Sequence, residues 1–219
     1  MTVYQLPHSP FCIPITRALE ACGVPFETID VPNHDRSAII KLTGGAYYQV
    51  PVLKDAENIV FESGVDTQDV ARYVDERYAQ RRLFPPQAEG LQAILIPYLE
   101  NEVEGVTFKL CDIHGLDEIE DLVARTMTIR HKERRFGRGC VAVWKREKNM
   151  LWQEAKRLLT PFDVMLKHAR FVLGGEPAYV DFLLYGVLGN LTYRDYNPLP
   201  RLAHLQRWHD EMRTFRFSQ

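Results

Sequence analysis

Three short constellations in this sequence carry residue types able to do chemistry. The first is Ser9-Pro10-Phe11-Cys12. Serine followed by proline is a helix start, with Ser9 as N-cap and Pro10 at the first helical position. The unpaired N–H groups of a first turn carry positive dipole character and favour a thiolate over a thiol. A free thiol titrates near ~8.5, so ionising it below pH 7 takes roughly 2 kcal/mol. A hydroxyl and a helix start supply that together, for a bound thiol at Ser9 or for Cys12 itself. The second is Gln49-Val50-Pro51-Val52-Leu53. An X-Pro bond opening a strand is a place where a cis peptide occurs, and it would leave the Val50 backbone to pair with an extended peptide ligand. The third is Glu62-Ser63, read as the opening of a helix. Ser63 would cap it, its N–H groups would take a carboxylate, and Glu62 would meet an ammonium group. Taken singly, each has a plainer reading: a simple cap, a small packed residue, an edge proline, a cap beside a dipole-favoured acid.

The elements that must position these residues follow from the pattern. Thr2–Leu6 is a strand, a helix runs from Ser9-Pro10 to about Cys22, and Gly23 with Val24-Pro25 ends it. Strands are predicted at Phe26–Val31, Val50–Lys54 and Ile59–Phe61, with helices at Asn33–Leu42 and Ser63–Tyr78. The order is β-α-β-α-β-β-α: a parallel pair through a helical crossover, then an antiparallel hairpin. Residues 79–90 break this pattern with Pro85-Pro86 and a polar excess, and a linker is placed at 81–90. Everything beyond reads as helix, over 89–111, 117–135, 140–172, 178–191 and 200–215, with Pro97 and Pro161 expected to kink two of these spans. The division is 1–80, an α/β domain, and 91–219, an all-helical one.

Composition bounds the function. The 219 residues are 46% apolar and 26% charged, ordinary for a globular protein. A net charge of −2 argues against a nucleic-acid partner. The apolar runs are too short for a membrane span, no secretory leader is read at the start, and Cys12, Cys22, Cys111 and Cys140 match no zinc or disulfide framework. No metal site is expected, and the cytoplasm is the expected compartment. Residues 99–121 carry eight acids and one lysine, whereas 125–148 carry nine Lys/Arg and two acids. The plain reading is that neighbouring helices pair these faces. The sharper one is that Arg130, Lys132, Arg134, Arg135 and Arg138 line a pocket for an anion.

In order and spacing, a thiolate-favouring helix start, an X-Pro strand and a Glu-Ser pair within this frame resemble the glutathione transferase superfamily. The resemblance implies a thioredoxin-like first domain followed by an all-helical second. The stretch VLGGEPAYVDFLLY is similar to the family segment entering a buried helix, with Asp181 as its cap and Ala178 in place of the usual Ser/Thr. By this resemblance Ser9 would donate to the glutathione thiolate. Val50 would pair with the cysteinyl unit ahead of a cis Pro51. Glu62 and Ser63 would hold the γ-glutamyl group, Gln49 would help hold the backbone, and Arg36 would meet the glycyl carboxylate. The reaction implied is attack of the thiolate on a small hydrophobic electrophile, seated between Phe11 and the region of Tyr98 and Thr107–Leu110, in a homodimer. SPFC also resembles a glutaredoxin-like CPFC whose first cysteine has become serine. Two alternatives therefore stand beside the transferase: a glutathione-dependent thiol–disulfide oxidoreductase using Cys12, and a non-catalytic binding protein of the same fold.

Overall fold

Val3 and Leu53, paired across β1 and β3, are fully buried in the main core, and Val52, on the opposite face beside Tyr4, is fully buried in a second cluster, so the middle of the sheet is covered on both faces. The computed structural model describes residues 1–64 and 67–218. Its sheet has four strands in the order β2-β1-β3-β4: β1 (Thr2–Gln5), β2 (Glu27–Asp30), β3 (Val52–Asp55) and β4 (Asn58–Val60). β1 and β2 are parallel, with Val3 opposite Thr28, and β3 runs antiparallel to both β1 and β4. Parallel pairing needs a crossover, which α1 (Cys12–Ala21) supplies. β2 is exposed along its whole length and carries Glu27 and Asp30, charges that suit an edge strand.

Seven of the ten α1 residues are buried, because the helix lies between the sheet and α9 (Tyr179–Leu191). α9 is apolar nearly all round and correspondingly enclosed. Two glycines let these helices meet. A Cβ on Gly186 would lie 2.4 Å from the Pro10 carbonyl oxygen and 2.5 Å from the Pro14 ring, and one on Gly189 would lie 3.0 Å from Ile13 Cδ1. A single apolar core consequently runs from Val3, Ile15 and Leu19 of the first half to Phe182, Val187 and Trp208 of the second. Asp181 holds the start of α9 as expected, by accepting from the Ala178 N–H at 3.1 Å. The missing Ser/Thr hydroxyl is offset by two further donors to Asp181, the Val172 N–H at 2.9 Å and Trp208 Nε1 at 2.8 Å. Burial pushes this carboxyl up to about 7, and the three donors pull against that rise.

Several predicted elements differ in extent. The helix expected from Ser63 to Tyr78 begins at Asp69 instead: α3 (Asp69–Val74) passes into a π-helical turn, Asp75–Ala79. Val65, which helical spacing would group on one face with Val70, Tyr73 and Val74, lies outside the described residues. α2 (Ser37–Leu42) is shorter than predicted. The 89–111 span is α4 (Glu89–Pro97), a π-helical stretch Tyr98–Val103, and α5 (Glu104–Gly115), so the ladder widens directly after Pro97. The 117–135 span is α6 (Leu122–Phe136). The 140–172 span is two helices, α7 (Cys140–Arg146) and α8 (Lys148–His168), and α8 runs on through Pro161. α10 (Ala203–Thr214) closes the bundle.

The opposed charge runs meet as neighbours. Lys132 of α6 lies 2.5 Å from Asp112 of α5, and Lys145 lies 2.6 Å from Asp117. Arg130 pairs within its own helix with Glu133. The plain reading of these runs accounts for Lys132 and Arg130, which leaves them committed to carboxylates rather than to an anion pocket.

Candidate active site

The site begins where β1 turns into α1. Ser9 Oγ accepts from the N–H groups of Phe11 at 3.2 Å and Cys12 at 3.3 Å, so the hydroxyl caps the first turn even though regular helix starts at Cys12. An oxygen accepting two bonds keeps its own proton to give away, and those bonds polarise it for donation. Ser9 is 7% exposed. Cys12 is fully enclosed, packed with Val31, Ile39, Val50 and Val52. Burial pushes its thiol up to about 11, against opposing hydrogen bonds from Ser9 and Leu6. Burial therefore disfavours the Cys12 thiolate in spite of its place in the first turn.

The second strand entrance lies in the same buried cluster. The Val50–Pro51 peptide is cis. No hydrogen bond among the described residues uses the Val50 N–H or C=O. Gln49 is exposed, with Nε2 3.4 Å from the Tyr48 hydroxyl. Tyr47 stacks on Phe61 at 5.3 Å and walls this corner. Arg36 donates from Nη2 to Asn33 Oδ1 at 3.0 Å, while its buried Nη1 meets no hydrogen-bond partner among the described residues.

The third corner differs from its sequence reading. Ser63 does not cap α3. Its N–H and Oγ donate instead to Asp69 Oδ2 at 2.7 and 2.6 Å, which holds the Asp69 carboxyl below its ordinary value. The cap is Glu62, whose carboxylate accepts from the Asp69 N–H at 2.7 Å, the Val70 N–H at 3.2 Å and the Thr67 hydroxyl at 2.7 Å. Glu62 thus uses its negative charge on the helix dipole, where the sequence reading had offered it to an ammonium group. Gln68, with φ of 56°, turns the chain into the helix and donates to Glu100 at 2.6 Å.

A cavity of about 330 Å³ opens between the halves, beside the Ser9 corner. Its walls are Leu6 and His8 from the end of β1, the 32–34 loop, the last turns of α5 from Cys111 to Leu116, Thr128 of α6, and the turn after α9. The region around Tyr98 and Leu110, read from the sequence as the electrophile's seat, does not line this cavity: Tyr98 donates to the Leu158 carbonyl at 3.0 Å and packs on Phe162, and Leu110 is fully buried. The turn after α9 holds Arg194 and Asp195 at φ of 48° and 59°, a left-handed pair without glycine. Asn197 pins it, donating from Nδ2 to the carbonyls of Leu110 at 3.1 Å and Leu191 at 3.0 Å. Tyr193 and Arg194 were not singled out by the sequence; two consecutive strained residues leave no composition signal. Among the described residues no three His, Cys, Asp or Glu side chains gather as a metal site, and no helix is long and apolar enough to cross a membrane.

Comparison with known proteins agrees with the fold. No curated protein sequence matches the chain. Among solved structures it is similar to a glutathione S-transferase of Ceriporiopsis subvermispora crystallised with glutathione, at 16% identity and a TM-score of 0.79, covering 100% of this chain and 98% of that one. The transferase GSTFuA2 of Phanerochaete chrysosporium gives 18% identity, a TM-score of 0.78 and the same coverage. A theta class enzyme of Xanthomonas axonopodis pv. citri with glutathione bound gives 20% identity and a TM-score of 0.63, covering 97% and 92%. At such identities the likeness establishes the fold. The family models are more specific: the glutathione S-transferase N-terminal domain matches residues 3–82 and the C-terminal domain residues 115–211. With both models matched in order along most of its length, the chain belongs to the glutathione S-transferase family.

Proposed function

We propose that this protein is a glutathione transferase of the serine type, in which Ser9 donates to the glutathione thiolate. Residues 1–80 then form the glutathione-binding domain, 81–90 the linker and 91–219 the helical domain that shapes the second-substrate site. The observation that carries the reading is the Ser9 hydroxyl, held by two N–H groups at the start of α1, whose proton, now turned to Cys12, would be redirected to a thiolate set in front of it. Val50 offers its backbone to the cysteinyl unit beside cis Pro51, and Gln49 and Arg36 flank the path of the glycyl end. Glu62 and Ser63 receive the γ-glutamyl group on this reading by exchanging part of their network with Asp69 for the ligand. The thiolate sulfur forms a bond to an electrophilic carbon as the leaving group departs with its electron pair. Positioning and exclusion of water supply the rest of the catalysis.

The oxidoreductase alternative needs an accessible, ionisable Cys12, and its enclosure weighs against that. All four cysteines are unpaired, which suits a reducing cytoplasm. A homodimer is part of this reading, and Leu91 and Ile94, exposed one turn apart on α4, are apolar side chains that a partner copy would cover. Ser9→Ala tests the assignment. The thiol pKa of bound glutathione, followed by ultraviolet titration, should rise, and kcat/KM with an aryl halide should fall about 10²–10³-fold. An unchanged titration would leave Ser9 as a cap alone.

A further inference from the structure

The basic run read from the sequence leaves a remainder that the fold does not absorb. Lys132 and Arg130 are engaged by Asp112 and Glu133, but Arg134, Arg135 and Arg138 form no ion pair among the described residues. Glu133 is the one acid between Leu122 and Gly139. α6 turns Ala124 and Thr128 toward the protein. Lys132 lies over the Phe108 ring at 5.2 Å, and Phe136 meets Phe108 at 5.2 Å and Trp144 at 5.5 Å. These contacts fix the helix, so its outer face is a preformed surface that needs no ordering on binding. On that face Val123, Met127, Arg130 and Arg134 follow one another at helical spacing, and all four are exposed, Val123 at 69% and Met127 at 51%. Leu122 stands beside them at 66%. The stripe is therefore apolar at its start and basic at its end, over about 18 Å of helix.

We propose that this face of α6 docks an acidic segment of another protein, one that carries apolar side chains beside a block of carboxylates. Arginine matches a carboxylate with two parallel hydrogen bonds, and an uncovered apolar patch continuous with unpaired charge gives such a segment its second anchor. A bilayer fits less well. A helix lying in a lipid interface sets its apolar and charged faces on opposite sides, whereas here the two succeed one another along one side. Seating Val123 and Met127 in hydrocarbon would carry Arg130 in with them. A nucleic acid would answer the arginines through its phosphates and leave Leu122, Val123 and Met127 in water. A second copy of this chain has few acids to offer: Asp112, Asp117 and Glu118 of its acidic run are in ion pairs, and Asp121 caps α6. The surface is independent of the glutathione reading, and neither depends on the other.

Fluorescence anisotropy with two synthetic helical peptides of identical composition tests this on the full chain. In the first, two leucines and then three glutamates share one face. In the second, the leucines sit on the face opposite the glutamates. The wild type should bind the first about tenfold more tightly, and added salt should weaken it. Arg134→Glu should weaken the first peptide about tenfold, whereas Arg134→Lys should lose less because the charge remains. Met127→Gln should weaken the first peptide and leave the second unchanged. If Arg134→Glu does not fold, Arg138→Glu, beyond the end of the helix, serves in its place. No saturable binding of the first peptide, or equal affinity for both, overturns the proposal. Co-sedimentation with phosphatidylserine vesicles that Arg134→Glu abolishes overturns it in favour of a membrane contact. Self-association in analytical ultracentrifugation that the same variant abolishes overturns it in favour of a contact between copies.

Discussion

Two corners of the first domain look alike in sequence, and the fold uses them differently. Each offers a serine just ahead of a helix. At Ser9 the hydroxyl accepts from the first turn, and the buried cluster around Cys12 and Val50 fixes the backbone beneath it. At Ser63 the helix starts six residues later, the serine donates to Asp69, and Glu62 occupies the helix start. The first corner is backed by α9 at van der Waals contact, whereas the second is tied by side chains at the surface. A serine's role at a helix start is thus decided by what packs behind it. A carboxylate within reach displaces a hydroxyl as cap, because a charged acceptor makes the stronger bond to N–H groups.

The largest effect should come from removing the backing of the first corner. Gly186→Ala forces a methyl against the Pro10 carbonyl, and a cost of about 3 kcal/mol is expected in denaturant unfolding. Amide exchange at Asp69 and Val70 should be unaltered below the unfolding transition, since the second corner does not lean on α9. A smaller effect concerns Glu104, on α5, which packs against α9. Burial pushes its carboxyl up to about 7, with Lys132 lowering it and Asp112 raising it. A folded pKa raised above the ordinary 4.5 means stability fully present below that value and lost as pH rises through about 7. Glu104→Gln should flatten that part of the stability–pH curve, a difference of order 1–3 kcal/mol between pH 4.5 and 8. The smallest effect is at the second corner: Glu62→Gln keeps an acceptor and loses the charge, costing about 1 kcal/mol and speeding amide exchange at Asp69 and Val70. If that exchange did not change, the difference drawn between the corners would collapse.

Much of this was readable from residue types. The strand and helix order, the Ser9 cap, the X-Pro bond at Val50–Pro51 and the Asp181 cap rest on local signals with a fixed sign, and the fold carries each of them. The α3 start was not readable, because Glu62 and Asp69 are seven apart and meet only after β4 and α3 are in place. The split at Arg146–Lys148 has neither glycine nor proline to mark it. The cavity beside the Ser9 corner draws its walls from both halves of the chain, and no window of sequence spans it.

The seam between α1 and α9 has a mechanical corollary. Helices locked together through Gly186 and Gly189 cannot slide or part without lifting a backbone carbonyl off its neighbour. The halves therefore do not hinge like jaws around a guest. On the wall of the cavity the exposed Arg194–Glu118 ion pair at 2.7 Å is, by contrast, a contact cheap to undo.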